Sequence, residues 1–238
     1  MPLSNFHQRI AHVTAHPATG PILIIALGDS ITMGCTSLGL LAPDAVYHAR
    51  LKRMLEDRYP NTVFSVINAG VGGQCADDGL ARLDRHVIRH QPDLVTIAFG
   101  ANDVHRGQAG LDGYRQALRE IIIRTREETV AAIVLMTPPF QCDKPSSRVA
   151  VPHREMVDTM MKAQQSGMLT RYAEAMRDVG REMGVPVADV HARYQQLADA
   201  GINTTDLLAN GLNHPTPAAH LHPAALLMNL IDSAGDAA

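Results

Sequence analysis

Residues 21–27 read Pro-Ile-Leu-Ile-Ile-Ala-Leu with no polar alternation, and the run stops at Gly28-Asp29-Ser30. An apolar stretch of this length predicts a strand covered on both faces, which means a parallel sheet with helices on either side. Glycine permits the sharp turn that follows, so Ser30 is expected at the carboxyl edge of the strand, where open α/β sheets carry their chemistry. Two further runs, 62–67 and 94–99, end comparably. The first runs into Asn68-Ala69-Gly70-Val71-Gly72-Gly73 and the second into Gly100-Ala101-Asn102-Asp103. The glycine turn exposes backbone N–H groups suited to an anion, and Asn102 adds a side-chain amide at the same edge. Near the C-terminus, Asn213-His214-Pro215 places a loop histidine before a last apolar segment. A serine, two sources of N–H donors and a histidine form the set that acyl transfer requires.

Four blocks in this order resemble the SGNH hydrolases of the GDSL esterase and lipase superfamily, over about residues 21–230. The resemblance implies Ser30 as nucleophile, the Ser30 and Gly73 N–H groups with the Asn102 amide as oxyanion hole, and His214 as base. It also implies a flavodoxin-like, three-layer α/β/α fold around a doubly wound parallel sheet of about five strands, and ester or thioester hydrolysis without metal or other cofactor. No G-x-S-x-G elbow surrounds Ser30, which disfavours the α/β-hydrolase fold for the same reaction.

The chain departs from the family pattern at its acid. That pattern has an aspartate three residues before the histidine, whereas here that position is Gly211. The stretch Asn210-Gly211-Leu212-Asn213-His214-Pro215 looks like a D-G-x-H-P block with one residue inserted and the aspartate replaced by Asn210. The nearest upstream carboxylate is Asp206. Asp206 is therefore expected as the acid, with Asn210 as an orienting partner, or a Ser-His dyad, as the alternatives.

Helical spacing and proline stops predict helices over 44–59, 77–90 and 111–128, a fourth strand over 130–136, and a long helix or broken pair over 156–183. A short fifth strand follows at 185–190, and a closing helix at 217–232. Without repeats or linkers, residues 1–238 are expected to form one domain, 1–20 being an N-terminal extension. The irregular stretch 137–153 leaves the fourth strand through Pro138-Pro139 and is a candidate active-site loop, because long structureless loops are commonly functional.

At 238 residues, 46% of them hydrophobic, the chain can bury a single core, and its formal net charge of -3 gives no case for a nucleic-acid partner. Residues 1–20 show neither a signal-peptide pattern nor a membrane span, which points to the cytoplasm. Cys35, Cys75 and Cys142 lack metal-ligand spacing and read as reduced thiols, the first two near the site. His214, His220 and His222 lack a metal-binding pattern, and the latter two are expected to face solvent or cap the last helix. Asp29 and Asp103 are expected to hold the two site loops by accepting backbone N–H bonds. The expected function is a serine esterase acting on a small-molecule ester with a small acyl group, acetyl among them, through an acyl-enzyme. The alternatives are a thioesterase or lysophospholipase on the same site, or a non-catalytic flavodoxin-like binding domain. No oligomeric state is indicated.

Overall fold

The computed structural model describes residues 3–37 and 39–235. The described elements run α1 (Ser4–Ala15), β1 (Ile22–Gly28), α2 (Ser30–Met33), α3 (Tyr47–Arg58), β2 (Phe64–Gly70), α4 (Ala76–Ala81), α5 (Leu83–His86), β3 (Leu94–Ala98) and α6 (Leu111–Glu128). They continue with β4 (Ala132–Met136), α7 (Val157–Gln165), α8 (Met168–Met183), β5 (Val187–Ala188), α9 (Val190–Asp199) and α10 (Leu221–Gly235). All strand pairs are parallel, in the order β2-β1-β3-β4-β5. The chain winds outward from β1 to β2 and then returns to place β3 on the other side of β1. The strand order therefore reverses beside β1, and crevices for ligands open at such a switch point.

The uninterrupted apolar run of β1 has the burial it predicts. Ile25 and Leu27 point into a core built with α4, α6 and α8. Ile22, Ile24 and Ala26 point into the opposite core, built with α1, α3, α9 and α10. Alternate residues of one strand thus feed two hydrophobic layers, which is why no polar position interrupts the run. Gly28 lies level with Gly70 of β2 and with Ala98 of β3, so the three loops that carry the site leave the sheet at one height.

Several local expectations shift. Residues 77–90 break into α4, α5 and a 3-10 turn at Ile88–His90 rather than one helix. The 156–183 segment is a broken pair, split where Gly167 takes a φ of 74° between α7 and α8. The fifth strand shrinks to two residues, and α9 follows it where no element was expected. Within the expected N-terminal extension, α1 buries Phe6, Ile10 and Val13 against the second core.

Candidate active site

Ser30 opens α2 at the end of β1. Its helix is only one turn long, and Asp29 caps it by accepting the Ile31 N–H at 2.8 Å. The turn lies directly over the strand ends: a Cβ on Gly28 would stand 2.1 Å from Thr32 Oγ1, and one on Gly70 would stand 2.2 Å from the Met33 nitrogen. Glycine at both positions is what lets the serine sit this low on the sheet.

His214 Nε2 lies 3.0 Å from Ser30 Oγ, and its Nδ1 lies 3.2 Å from the Thr36 carbonyl oxygen. A carbonyl can only accept, so Nδ1 carries the ring proton and donates to it. Nε2 is then unprotonated and accepts from the serine hydroxyl, which is the state a general base requires. Burial lowers the His214 pKa below the ordinary 6.5, against a smaller rise from the hydrogen bond to the Thr36 carbonyl. The imidazole is therefore neutral at pH 7.

The backbone beneath this histidine is held by Asn210. Its Oδ1 accepts the N–H groups of Leu212, Asn213 and His214, each at 3.0 Å, while its Nδ2 donates to Asn213 Oδ1 at 3.0 Å. Asn210 thus orients His214 through the main chain and leaves the ring to Thr36. Asp206, expected as the acid, is not at the histidine: it is exposed, and its Oδ2 accepts from Asn203 Nδ2 at 2.7 Å. The correction has a local cause. Residues 204–207 form a 3-10 turn, after which Leu208 pairs with Pro215, so the chain doubles back and carries Asp206 away from His214.

Gly73 has a φ of 75°, a backbone conformation that glycine adopts without strain. Its neighbour Gly72 lies against the nucleophile, since a Cβ there would stand 4.0 Å from Ser30 Cβ. The Asn102 amide donates one N–H to the Gln74 carbonyl at 2.9 Å, which anchors it to the glycine turn and leaves its second N–H for the site. Asp103 pins the same two loops together, accepting from Ala76 and Gly100 N–H at 2.9 Å each. Burial raises the Asp103 pKa and pushes that of Asp29 up to about 7.

The 137–153 stretch packs against the histidine loop. The Cys142 N–H donates to the Leu212 carbonyl at 2.7 Å, and Arg148 donates to the carbonyls of Asp206 and Leu208. His153 lines a cleft together with His214 and Cys35, whereas Cys75 is buried as the cap of α4. Two contributors escaped the sequence reading. The Thr36 carbonyl carries no residue signature at all. Arg82, in the turn between α4 and α5, ties the strand ends to the glycine turn through the Ala69 and Gly28 carbonyls and Gln74 Oε1.

His220, expected at the surface, is buried, stacked on Tyr47 at 6.3 Å, and neither ring nitrogen has a hydrogen-bond partner among the described residues. With Asp29, Tyr47 and Tyr194 it borders a small cavity of about 30 Å³ behind the nucleophile. Among the described residues, Cys75, Asp77 and Asp103 bring three ligand-type atoms within 4.8 Å of one another. The Asp103 oxygens are engaged by backbone N–H groups, and Asp77 is paired with Arg106 at 2.9 Å, so these groups already serve the loops.

A serine hydroxyl aligned on a neutral imidazole, at the switch point of a parallel sheet and beside a glycine turn and an amide, defines a site of the serine-hydrolase type. The chain belongs to the GDSL-like lipase/acylhydrolase family, whose model matches residues 26–221. It is 34% identical over 131 residues to an acetylxylan esterase of Geobacillus stearothermophilus, a match covering 48% of this chain and 58% of the relative. The chain spans about half the length of this relative and of a second curated one, the Esterase TesA of Pseudomonas aeruginosa. Its fold is that of Axe2, an acetylxylan esterase from Geobacillus stearothermophilus, with a TM-score of 0.67 at 24% identity over 89% of this chain and 94% of that one. A lipase/acylhydrolase from Enterococcus faecalis superposes with a TM-score of 0.62 at 27% identity, covering 89% and 96%. The solved catalytic mutants of Axe2 replace a serine, a histidine and an aspartate.

Proposed function

We propose that the protein is a serine esterase that hydrolyses esters of small acyl groups, acetyl first among them, through a covalent acyl-enzyme. The observation that carries this reading is His214 Nε2 at 3.0 Å from Ser30 Oγ with Nδ1 held on a carbonyl oxygen. His214 takes the Ser30 proton as Oγ attacks the ester carbonyl, and the resulting oxyanion is held by the Ser30 and Gly73 N–H groups and the Asn102 amide. The protonated Nε2 then gives its proton to the departing alcohol. Water attacks the acyl-enzyme with His214 again as base.

Thr36 performs the orienting role of a triad acid. Its carbonyl fixes the tautomer and the ring plane, and its dipole faces the imidazolium that forms, although it brings no full negative charge. The acetyl preference follows from the similarity to the acetylxylan esterase of Geobacillus stearothermophilus. A cytoplasmic setting fits the three cysteines, which are all free thiols, and no described helix is long and apolar enough to cross a membrane.

Ser30→Ala should abolish both p-nitrophenyl acetate hydrolysis and covalent labelling by a fluorophosphonate. Asn102→Ala should lower kcat by roughly 10²- to 10³-fold through loss of one oxyanion donor. Full turnover in Ser30→Ala would overturn the reading, and intact function without His214 would favour a binding domain instead.

A further inference from the structure

Residues 34–37 and 39–42 leave α2 and fold back on one another beside His214. Cys35 pairs with Leu41, Ala42 N–H donates to the Gly34 carbonyl at 2.9 Å, and Thr36 N–H donates to the Leu40 carbonyl at 3.0 Å. This segment supplies the Thr36 carbonyl to His214. It also forms one wall of a cleft of about 270 Å³ whose lining includes Met33, Cys35, Leu40, Leu41, His153 and His214. Leu40 is 61% exposed and Leu41 50%. Val151 and Met156, on either side of His153, are also exposed. Half of the eight large apolar side chains exposed among the described residues thus lie in the two segments that bound this cleft, and such clustering marks a recognition surface.

We propose that this cleft binds the alcohol half of the substrate, and that this alcohol is an apolar alkyl group rather than a sugar. The inference rests on the esterase reading and follows from where the proton goes. His214 must return it to the departing oxygen, so that oxygen sits on the histidine side of Ser30. The acyl oxygen is drawn to the opposite side, toward Gly73 and Asn102. The cleft borders His214 and neither of those donors, so it lies on the leaving-group side. Its walls offer mainly thioether, thiol and leucine surface, with the Ser37 hydroxyl and the His153 imidazole as polar groups beside His214. The one amide on its border, Asn210, has its oxygen filled by three backbone N–H groups and its nitrogen directed to Asn213. A sugar placed here would lose water around several hydroxyls and regain only the Ser37 hydroxyl and the two imidazoles as side-chain partners, whereas an alkyl chain would cover exposed leucine.

Acetates of alkyl alcohols have leaving groups of nearly equal basicity, so a series from ethyl to hexyl acetate reports binding rather than intrinsic reactivity. The kcat/KM of the wild-type enzyme should rise at least about tenfold along that series. A matched series that lengthens the acyl group, from ethyl acetate to ethyl hexanoate, should show no gain. Leu41→Ser and Leu40→Asp, both at exposed positions, should bring the ratio of hexyl to ethyl acetate toward one. Because it is a ratio on one enzyme, any change in the orientation of His214 cancels. A flat alcohol series, a gain along the acyl series, or acetylated xylooligosaccharide surpassing hexyl acetate would overturn the proposal while leaving the esterase reading in place. Failure to hydrolyse any ester, or an active Ser30→Ala enzyme, would fall on that reading instead.

Discussion

Asn210 and Asp206 exchange importance once the loop is seen folded. Asp206→Ala removes a carboxylate whose hydrogen bond is to Asn203 rather than to His214, and its kcat is expected within about threefold of wild type, as for other surface changes. Asn210→Ala strips the acceptor from three backbone N–H groups, lets the His214 loop relax, and should lower kcat by on the order of 10², since ångström-scale misplacement costs that much. Steady-state kinetics on p-nitrophenyl acetate separate the two, and a large loss confined to Asp206→Ala would restore the carboxylate to the mechanism. The acid limb of kcat/KM against pH belongs to the same residues. His214 must be neutral to accept the Ser30 proton, and burial lowers its pKa, so activity should rise with pH through a midpoint below 6.5. A limb centred above 6.5 in kcat/KM against pH would contradict burial as its cause.

The elements around the site are held together by close approach rather than by long interfaces. α2 is four residues long, and it keeps its place because Gly70 lets the Met33 backbone rest on the end of β2. Gly70→Ala sets a methyl 2.2 Å from a main-chain nitrogen, which no side-chain rotation can relieve. The variant should lose about 1–3 kcal/mol of stability by urea denaturation. Its kcat should also fall when assayed well below its melting temperature, because the displaced turn carries Ser30. Unchanged kcat in a destabilised variant would show that α2 positions nothing.

For the molecule as a whole, two buried histidines set part of the response to acid. Burial lowers the pKa of His191 to about 4 and that of His220 to about 3. A histidine neutral in the folded state and free to protonate in the unfolded state, near 6.5, binds more protons when unfolded throughout that window. Stability contributed by keeping these rings neutral is therefore full above about 6.5 and falls as pH drops toward the folded values. Asp29 acts in the opposite sense: its raised pKa makes the folded state bind more protons between 3.8 and about 7, so its contribution falls as pH rises. His220→Leu isolates one of these effects. Its melting temperature relative to wild type should increase as pH is lowered from 7.5 to 5, where the wild-type histidine costs about 2 kcal/mol by linkage. A pH-independent difference would show that His220 protonates in place.

What could be read along the chain was whatever depends on pattern. An apolar run without alternation can only be a strand between two helical layers, and loops that end three such strands must gather at one edge, so the sheet, Ser30, Asn102 and His214 were legible from residue type and order. The helix breaks were less so: spacing left a long helix or a broken pair open over 156–183, and Gly167 decides it with a φ of 74° between α7 and α8. The partner of His214 was not legible at all. Choosing between Asp206, Asn210 and no carboxylate depended on which way the 204–215 loop doubled back, and the group that meets Nδ1 is a main-chain carbonyl contributed from 178 residues away. Every residue has such a carbonyl, so no side-chain identity marks it; only the packing of the segment that follows α2 against the histidine loop decides that Thr36 supplies it.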